Sequence, residues 1–159
     1  MPSMVDNITC FIGTYDQLAP LEEAVRERRL LQTIKPLTDT ATQAAYEAWG
    51  TSWDVMDKEP DFHDTKGEAG AGMWYLGMQF ESPWAPPVGA YDILSDQGVH
   101  VHSYYLSTGG LEYGGEYLNG VNTPYDLDKL PKDIRVAFEH YDYDRLMYPD
   151  EWPKLEPAA

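Results

Sequence analysis

Apolar residues recur along this chain at two spacings, every second position and every third or fourth, and the switches between them mark out the elements. From Asn7 to Thr14, Ile8, Cys10 and Ile12 fall on one side and Thr9 and Phe11 on the other, which predicts a strand. Leu18, Leu21, Ala24 and Val25 then share one stripe of a helix that Asp16 is placed to cap. Glu22 and Glu23 sit toward its start and Arg26, Arg28 and Arg29 toward its end, as the helix dipole favours. Leu30 to Leu37 alternates and predicts a second strand, with Pro36 at its edge or end. Ala41 to Trp49 predicts a short helix stopped by Gly50.

Trp53 and Val55 open the next strand, Pro60 to Gly72 reads as a mobile polar hairpin loop, and Met73 to Phe80 is the partner strand. Pro86 and Pro87 stand where a helix start tolerates missing N–H groups, with Ala90, Ile93 and Leu94 as its apolar face and Gly98 as its close. Val99 to Leu106 and Leu111 to Asn119 flank Ser107-Thr108-Gly109-Gly110, the chemistry of a hairpin loop. Gly109-Gly110 and Gly114-Gly115 open no helix after a strand, so hairpin and bulge glycines describe them better than a phosphate cradle. The order predicts an α+β fold: a ferredoxin-like antiparallel sheet with helices packed on one face, an extra strand and a C-terminal extension. Residues 1–120 form the domain and 121–159 an acidic, proline- and tyrosine-rich extension, in which only Pro131 to Phe138 has the pattern of an element that docks.

Composition narrows the class. A chain of 159 residues holds about one domain, and 43% hydrophobic with 13% aromatic residues is too apolar for disorder. The net charge of −16 repels phosphate backbones and anionic lipid and favours basic partners, so neither direct nucleic-acid nor membrane binding is expected. Cys10 is the only cysteine, which excludes an internal disulfide and suits a reducing compartment. No apolar run approaches membrane-spanning length and the N-terminus lacks the regions of a signal peptide, so a cytoplasmic protein is expected. No cofactor motif occurs, and none is expected.

Three ordered segments carry a resemblance. Trp49-Gly50-Thr51-Ser52-Trp53-Asp54, then Phe80-Glu81-Ser82-Pro83-Trp84-Ala85-Pro86-Pro87, then Gly114-Gly115-Glu116-Tyr117 resemble the motif series of the YubB-type, Api-like ferredoxin-like family of plasmid, pathogenicity-island and phage proteins. The resemblance covers about residues 5 to 120 and implies a mobile-element origin and a ferredoxin-like core; it brings no established reaction. Ser52 stands where the family usually has Lys, which weakens the case for a shared anion-binding role. Ser82-Pro83 replaces Thr-Ala, and Ala85 replaces Ser. The motif residues Trp49, Gly50, Thr51, Trp53, Asp54, Trp84, Pro86, Pro87, Gly115 and Glu116 have mainly structural jobs: the Trp side chains as anchors at a core edge, and Asp54 as acceptor for the Trp49-Gly50-Thr51 turn.

Three readings of function stay open. The first rests on Asp142, Asp144, Tyr148, Asp150, Glu151 and Trp152, where carboxylates alternate with aromatic anchors. It is a non-enzymatic protein that binds and inhibits a basic, nucleic-acid-handling host protein, an anti-defence role by DNA mimicry. The plain alternative is a solvated tail packed on its own domain. The second is a metal-dependent enzyme using His100 and His102, two apart on one strand face, with Glu112 or Glu116 from the paired strand. A His-x-His pair on a strand is ordinarily a half-exposed sheet face, and His63 with Asp64 is ordinary loop polarity. The third is self-association as a homodimer through an exposed strand edge.

Overall fold

A computed structural model describes residues 4–38, 42–52, 54, 56–57, 65–70, 72–107 and 113–140. At its centre β1 (Met4–Gly13) pairs antiparallel with β4 (Met73–Pro83) on one side and β5 (His100–Ser107) on the other. Beyond β4 lie two shorter strands, β2 (Met56–Asp57) against Phe80 and Glu81, and β3 (Thr65–Gly70) against Met73 to Gly77. Beyond β5, β6 (Tyr113–Leu118) and β7 (Val121–Asp126) extend the sheet as a meander. The order β3-β4-β1-β5, antiparallel throughout, is the ferredoxin-like core, and β6 and β7 are additions to it.

Strand alternation sends Phe11 to one face of β1 and Ile8, Cys10 and Ile12 to the other, and both faces are covered. On the first, α1 (Tyr15–Arg26), α2 (Leu30–Ile34), α3 (Thr42–Trp49) and α4 (Val88–Asp96) bury Leu18, Leu31, Trp49 and Tyr91 with Phe11, Met78, Phe80 and Val101. On the second, the chain passes through a 3-10 turn at Leu127–Lys129 into α5 (Lys132–His140). Ile134, Ala137 and Phe138 of α5 pack with Ile8, Cys10, Ile12 and Tyr104. At about 1.5–3 kcal/mol for each large apolar side chain removed from water, both layers contribute to stability. No helix among the described residues is long and apolar enough to cross a membrane.

Several expectations change. The cap of α1 is Thr14, not Asp16: the Thr14 hydroxyl accepts from the Gln17 N–H at 3.2 Å while the Gln17 side chain accepts from the Thr14 N–H at 2.9 Å, a reciprocal capping box. Leu30 to Ile34 is a helix rather than a strand. Its apolar residues fall at i, i+1 and i+4, and the Asp54 carboxylate accepts from the N–H groups of Leu31 and Gln32 at 2.8 and 3.0 Å. Asp54 therefore caps α2. Part of the stretch expected as a loop, Thr65 to Gly70, is strand β3.

The boundary expected after Gly120 falls inside the sheet. Asn119 and Gly120 both have positive φ (45° and 95°) and join β6 to β7 with Leu118 opposite Val121, a two-residue hairpin of the type that Asn-Gly favours. Residues 121–140 thus supply the last strand and the helix of the second face.

Helix α4 begins hard against the end of α3. A Cβ at Gly89 would come within 2.5 Å of the Ala48 carbonyl oxygen. Gly89→Ala is expected to destabilise the fold by about 1–3 kcal/mol, the usual cost of overpacking, and to lower the urea midpoint. Glu47→Ala on the exposed side of α3 should stay within about 0.5 kcal/mol. Equal midpoints for the two variants would show that the helices separate without cost.

Candidate functional site

The first two motif segments meet at one end of the sheet, where α3 stops, β4 ends and α4 begins. Trp49 is buried and its indole N–H donates to the Lys35 carbonyl at 2.9 Å. Gly50, at φ 84°, turns the chain so that the Thr51 hydroxyl donates to the Pro83 carbonyl at 2.6 Å. Asn7 on β1 donates to the Ser82 hydroxyl at 2.9 Å, and Ser82 donates onward to the Ala85 carbonyl at 2.7 Å. Pro86 and Pro87 are buried, with Pro87 at the cap position of α4.

Between these ties Trp84 is held in an uncommon state. Its φ is 68° and its side chain is 42% exposed, so it is a displayed indole rather than a core anchor. A left-handed conformation costs a residue with a Cβ roughly 1–2 kcal/mol. It persists because the flanking Pro83 and Ala85 carbonyls are tied as above and the Tyr113 hydroxyl, arriving from β6, donates to the Trp84 carbonyl at 2.8 Å. Burial, then the nearby Tyr46, pushes the Tyr113 phenol up to about 12, so it stays a donor at neutral pH. Tyr46 is itself 52% exposed. Neither tyrosine stood out in the sequence, since a single Tyr in a helix or strand has nothing local to mark it.

The third segment does other work. Gly115 leaves room for the Tyr105 hydroxyl, which donates to Asn122 at 2.6 Å and clamps β5 to β7. Glu116 pairs with His102 at 2.9 Å.

His100 and His102 share a face of β5, and His100 meets Asn119 while His102 meets Glu116. His102 is 7% exposed, with its ring edge-on to Tyr104 at 5.1 Å. Asn119 uses its carbonyl oxygen to accept from the Val101 N–H at 2.8 Å, which directs its amide nitrogen to donate to His100 Nδ1 at 2.7 Å. An imidazole accepting at Nδ1 is neutral. Burial first, and then the neighbouring His102, hold His100 down at about 4. Among the described residues no three or more His, Cys, Asp or Glu side chains are grouped to hold a metal ion. Cys10 lies opposite His102 across the strand pair, but burial pushes its thiol up to about 12, far from a nucleophilic thiolate. Trp53, His63, Asp64, Glu112, Asp142, Asp144, Tyr148, Asp150, Glu151 and Trp152 lie outside the described residues.

No protein-family model matches the chain, and no curated protein matches it. Among solved structures, protein api92 from Yersinia pseudotuberculosis is similar over 61% of this chain, at 14% identity and a TM-score of 0.35. The chain spans 33% of that protein's length.

Two outcomes follow from this geometry. At most positions Ala is more stable than Gly, but at a φ of 68° the order should reverse, with Trp84→Gly more stable than Trp84→Ala by about 1 kcal/mol. Denaturant unfolding of the pair checks it, and the ordinary order would mean that the backbone relaxes once the indole is gone. For His100 the sign runs one way. The unfolded side chain takes a proton near 6.5 and the folded one only near 4, so its contribution is whole above 6.5 and is lost as the pH falls toward 4. His100→Asn should flatten the stability profile between pH 6.5 and 4, measured as midpoint against pH.

Proposed function

We propose that this protein is a non-catalytic binding module: a phage or mobile-element accessory protein that attaches to a basic, nucleic-acid-handling host protein in the cytoplasm and blocks it in the manner of a DNA mimic. The observation that carries this reading is Trp84, an exposed indole fixed on a costly backbone by hydrogen bonds at its own carbonyl and at those on either side. Strain of this kind persists where it serves a display, and a rigid Trp is a favoured interface anchor.

Charge says what kind of partner it meets. Carboxylates stand exposed on separate elements, Glu47 on α3, Asp92 and Asp96 on α4, Asp128 on the 3-10 turn and Asp133 on α5, within a chain of net charge −16. Spread over a folded surface, they steer a basic partner in and repel nucleic acid. The motif resemblance to mobile-element proteins supports the biological setting. Self-association through β7 is less well supported, because that strand is six residues long and carries Pro124 and Asp126, both of which blunt an edge.

The test is association and dissociation kinetics with a captured host partner at two ionic strengths. In the wild type, salt should slow association and duplex DNA should compete. Replacing Asp142, Asp144 and Asp150 by Asn and Glu151 by Gln together should slow association and flatten the salt dependence. Trp84→Ala should chiefly raise the dissociation rate, by about tenfold or more if the indole is an anchor worth 1.4 kcal/mol or above. A partner that binds independently of salt, and is indifferent to DNA and to all five residues, would sink the reading.

A further inference from the structure

At the opposite end of β4 from Trp84 lies a second aromatic feature. Tyr15, the first residue of α1, is 61% exposed and meets the Trp74 ring edge-on, centroids 5.7 Å apart and planes at 70°. The two rings form walls of a cleft of about 240 Å³ that Leu18 and Leu76, both buried, and Glu22 also line. Glu22 is paired at 3.6 Å with Arg26, and their side chains are 21% and 57% exposed respectively.

The chemistry of this cleft selects a cation on an aliphatic stem. Ring faces attract ammonium and guanidinium groups, and walls set at a steep angle present two π surfaces to one charge. Buried leucines accept methylenes, so a long basic side chain can lay its stem on them and keep its head between the rings and the carboxylate. The volume is below the roughly 300–1,000 Å³ of ordinary small-molecule sites, which points to one side chain rather than a cofactor. The helix dipole places about half a positive charge at this end of α1; Asp16 in the first turn opposes it, and Glu22, two turns on, brings a carboxylate to the cleft wall. Arg26 is the exposed partner of a part-buried Glu22, so an incoming cation competes with its guanidinium for that carboxylate.

We propose that the cleft between Tyr15 and Trp74 takes a single Arg or Lys side chain from a basic protein partner. This rests on the reading above that the partner is basic, and adds where one of its side chains seats. The experiment titrates the full chain with capped tripeptides that carry Arg, Lys or citrulline, the neutral isostere of Arg, and follows the Trp74 indole N–H by NMR. The Trp74→Phe variant assigns that resonance.

The Arg and Lys peptides should shift it saturably and the citrulline peptide should not. Tyr15→Ala, at an exposed position, should weaken Arg-peptide binding about fivefold, and Glu22→Gln about threefold, while Trp84→Ala leaves it unchanged; thermal melts confirm that each variant is folded. A citrulline peptide that binds as well as the Arg peptide overturns the proposal, as does wild-type affinity in both Tyr15→Ala and Glu22→Gln. If the Arg peptide binds but responds to Trp84→Ala and not to Tyr15→Ala, the cleft is not the seat while the basic-partner reading stands. Absence of any shift with Arg and Lys peptides removes the cleft and leaves the partner kinetics to judge that wider reading.

Discussion

Water reaches most of β1 from neither side, and the rest of the molecule is arranged around that constraint. In a central strand covered by four helices on one face and by α5 on the other, an unmade buried hydrogen bond costs about 1–3 kcal/mol, so polar side chains are tied to their neighbours; Asn7 Oδ1, buried without a partner, is the exception on β1. Thr9, in the middle of β1, meets the Ser103 and Tyr91 hydroxyls at 2.8 and 2.9 Å, and those two lie 3.4 Å apart. Three hydroxyls in a triangle can each donate and each accept, so the ring closes without help from solvent. It ties β1, β5 and α4 together, and burial raises the Tyr91 phenol well above its usual range.

The same constraint decides which groups meet solvent. Cys10 and the buried phenols have been taken out of water and shifted further from neutral pH, so they support the fold. What stays in contact with solvent is the rim: the turns where strands end, the outer faces of the helices, and the aromatic side chains displayed there.

This division explains what could be read from the sequence. Elements with a buried face announced themselves by period, so β1, α1, α4, β5 and β6 were legible within a few residues. Strand β3 was not, because Thr65-Lys66-Gly67-Glu68-Ala69-Gly70 has no apolar alternation and pairs through its backbone with β4 at the edge of the sheet. Helix α2 was misread because its cap, Asp54, lies 23 residues further on. Two further elements do have local signatures. Thr14-x-x-Gln17 is the sequence form of the capping box, and Asn119-Gly120 before the alternating Val121, Thr123 and Tyr125 is a hairpin signature. Of the candidate site, the motif residues were visible, but their convergence on Trp84 was not. That depends on Tyr113, 29 residues away, and on a positive φ that nothing about a Trp predicts.

Strand β4 also sets the scale of any interface. Trp74 near its start and Trp84 just beyond its end are ten residues apart, roughly 33 Å along an extended strand. A partner that engages both ends must therefore present a long surface, and the carboxylates on the flanking helices make a basic groove a better match than a compact pocket. Long-range charge and local anchors then act on different steps. Charge over the surface raises the rate of encounter and weakens with salt as the screening length shortens, to about 10 Å at 0.1 M. Aromatic side chains held rigidly at either end act only after contact, when they are desolvated, and so govern how long the complex lasts. A protein that relied on charge alone would bind many basic surfaces briefly. On the proposed reading, fixing Trp84 before contact spares the complex the cost of ordering it, and that gain goes only to a surface with a pocket where the fixed indole stands.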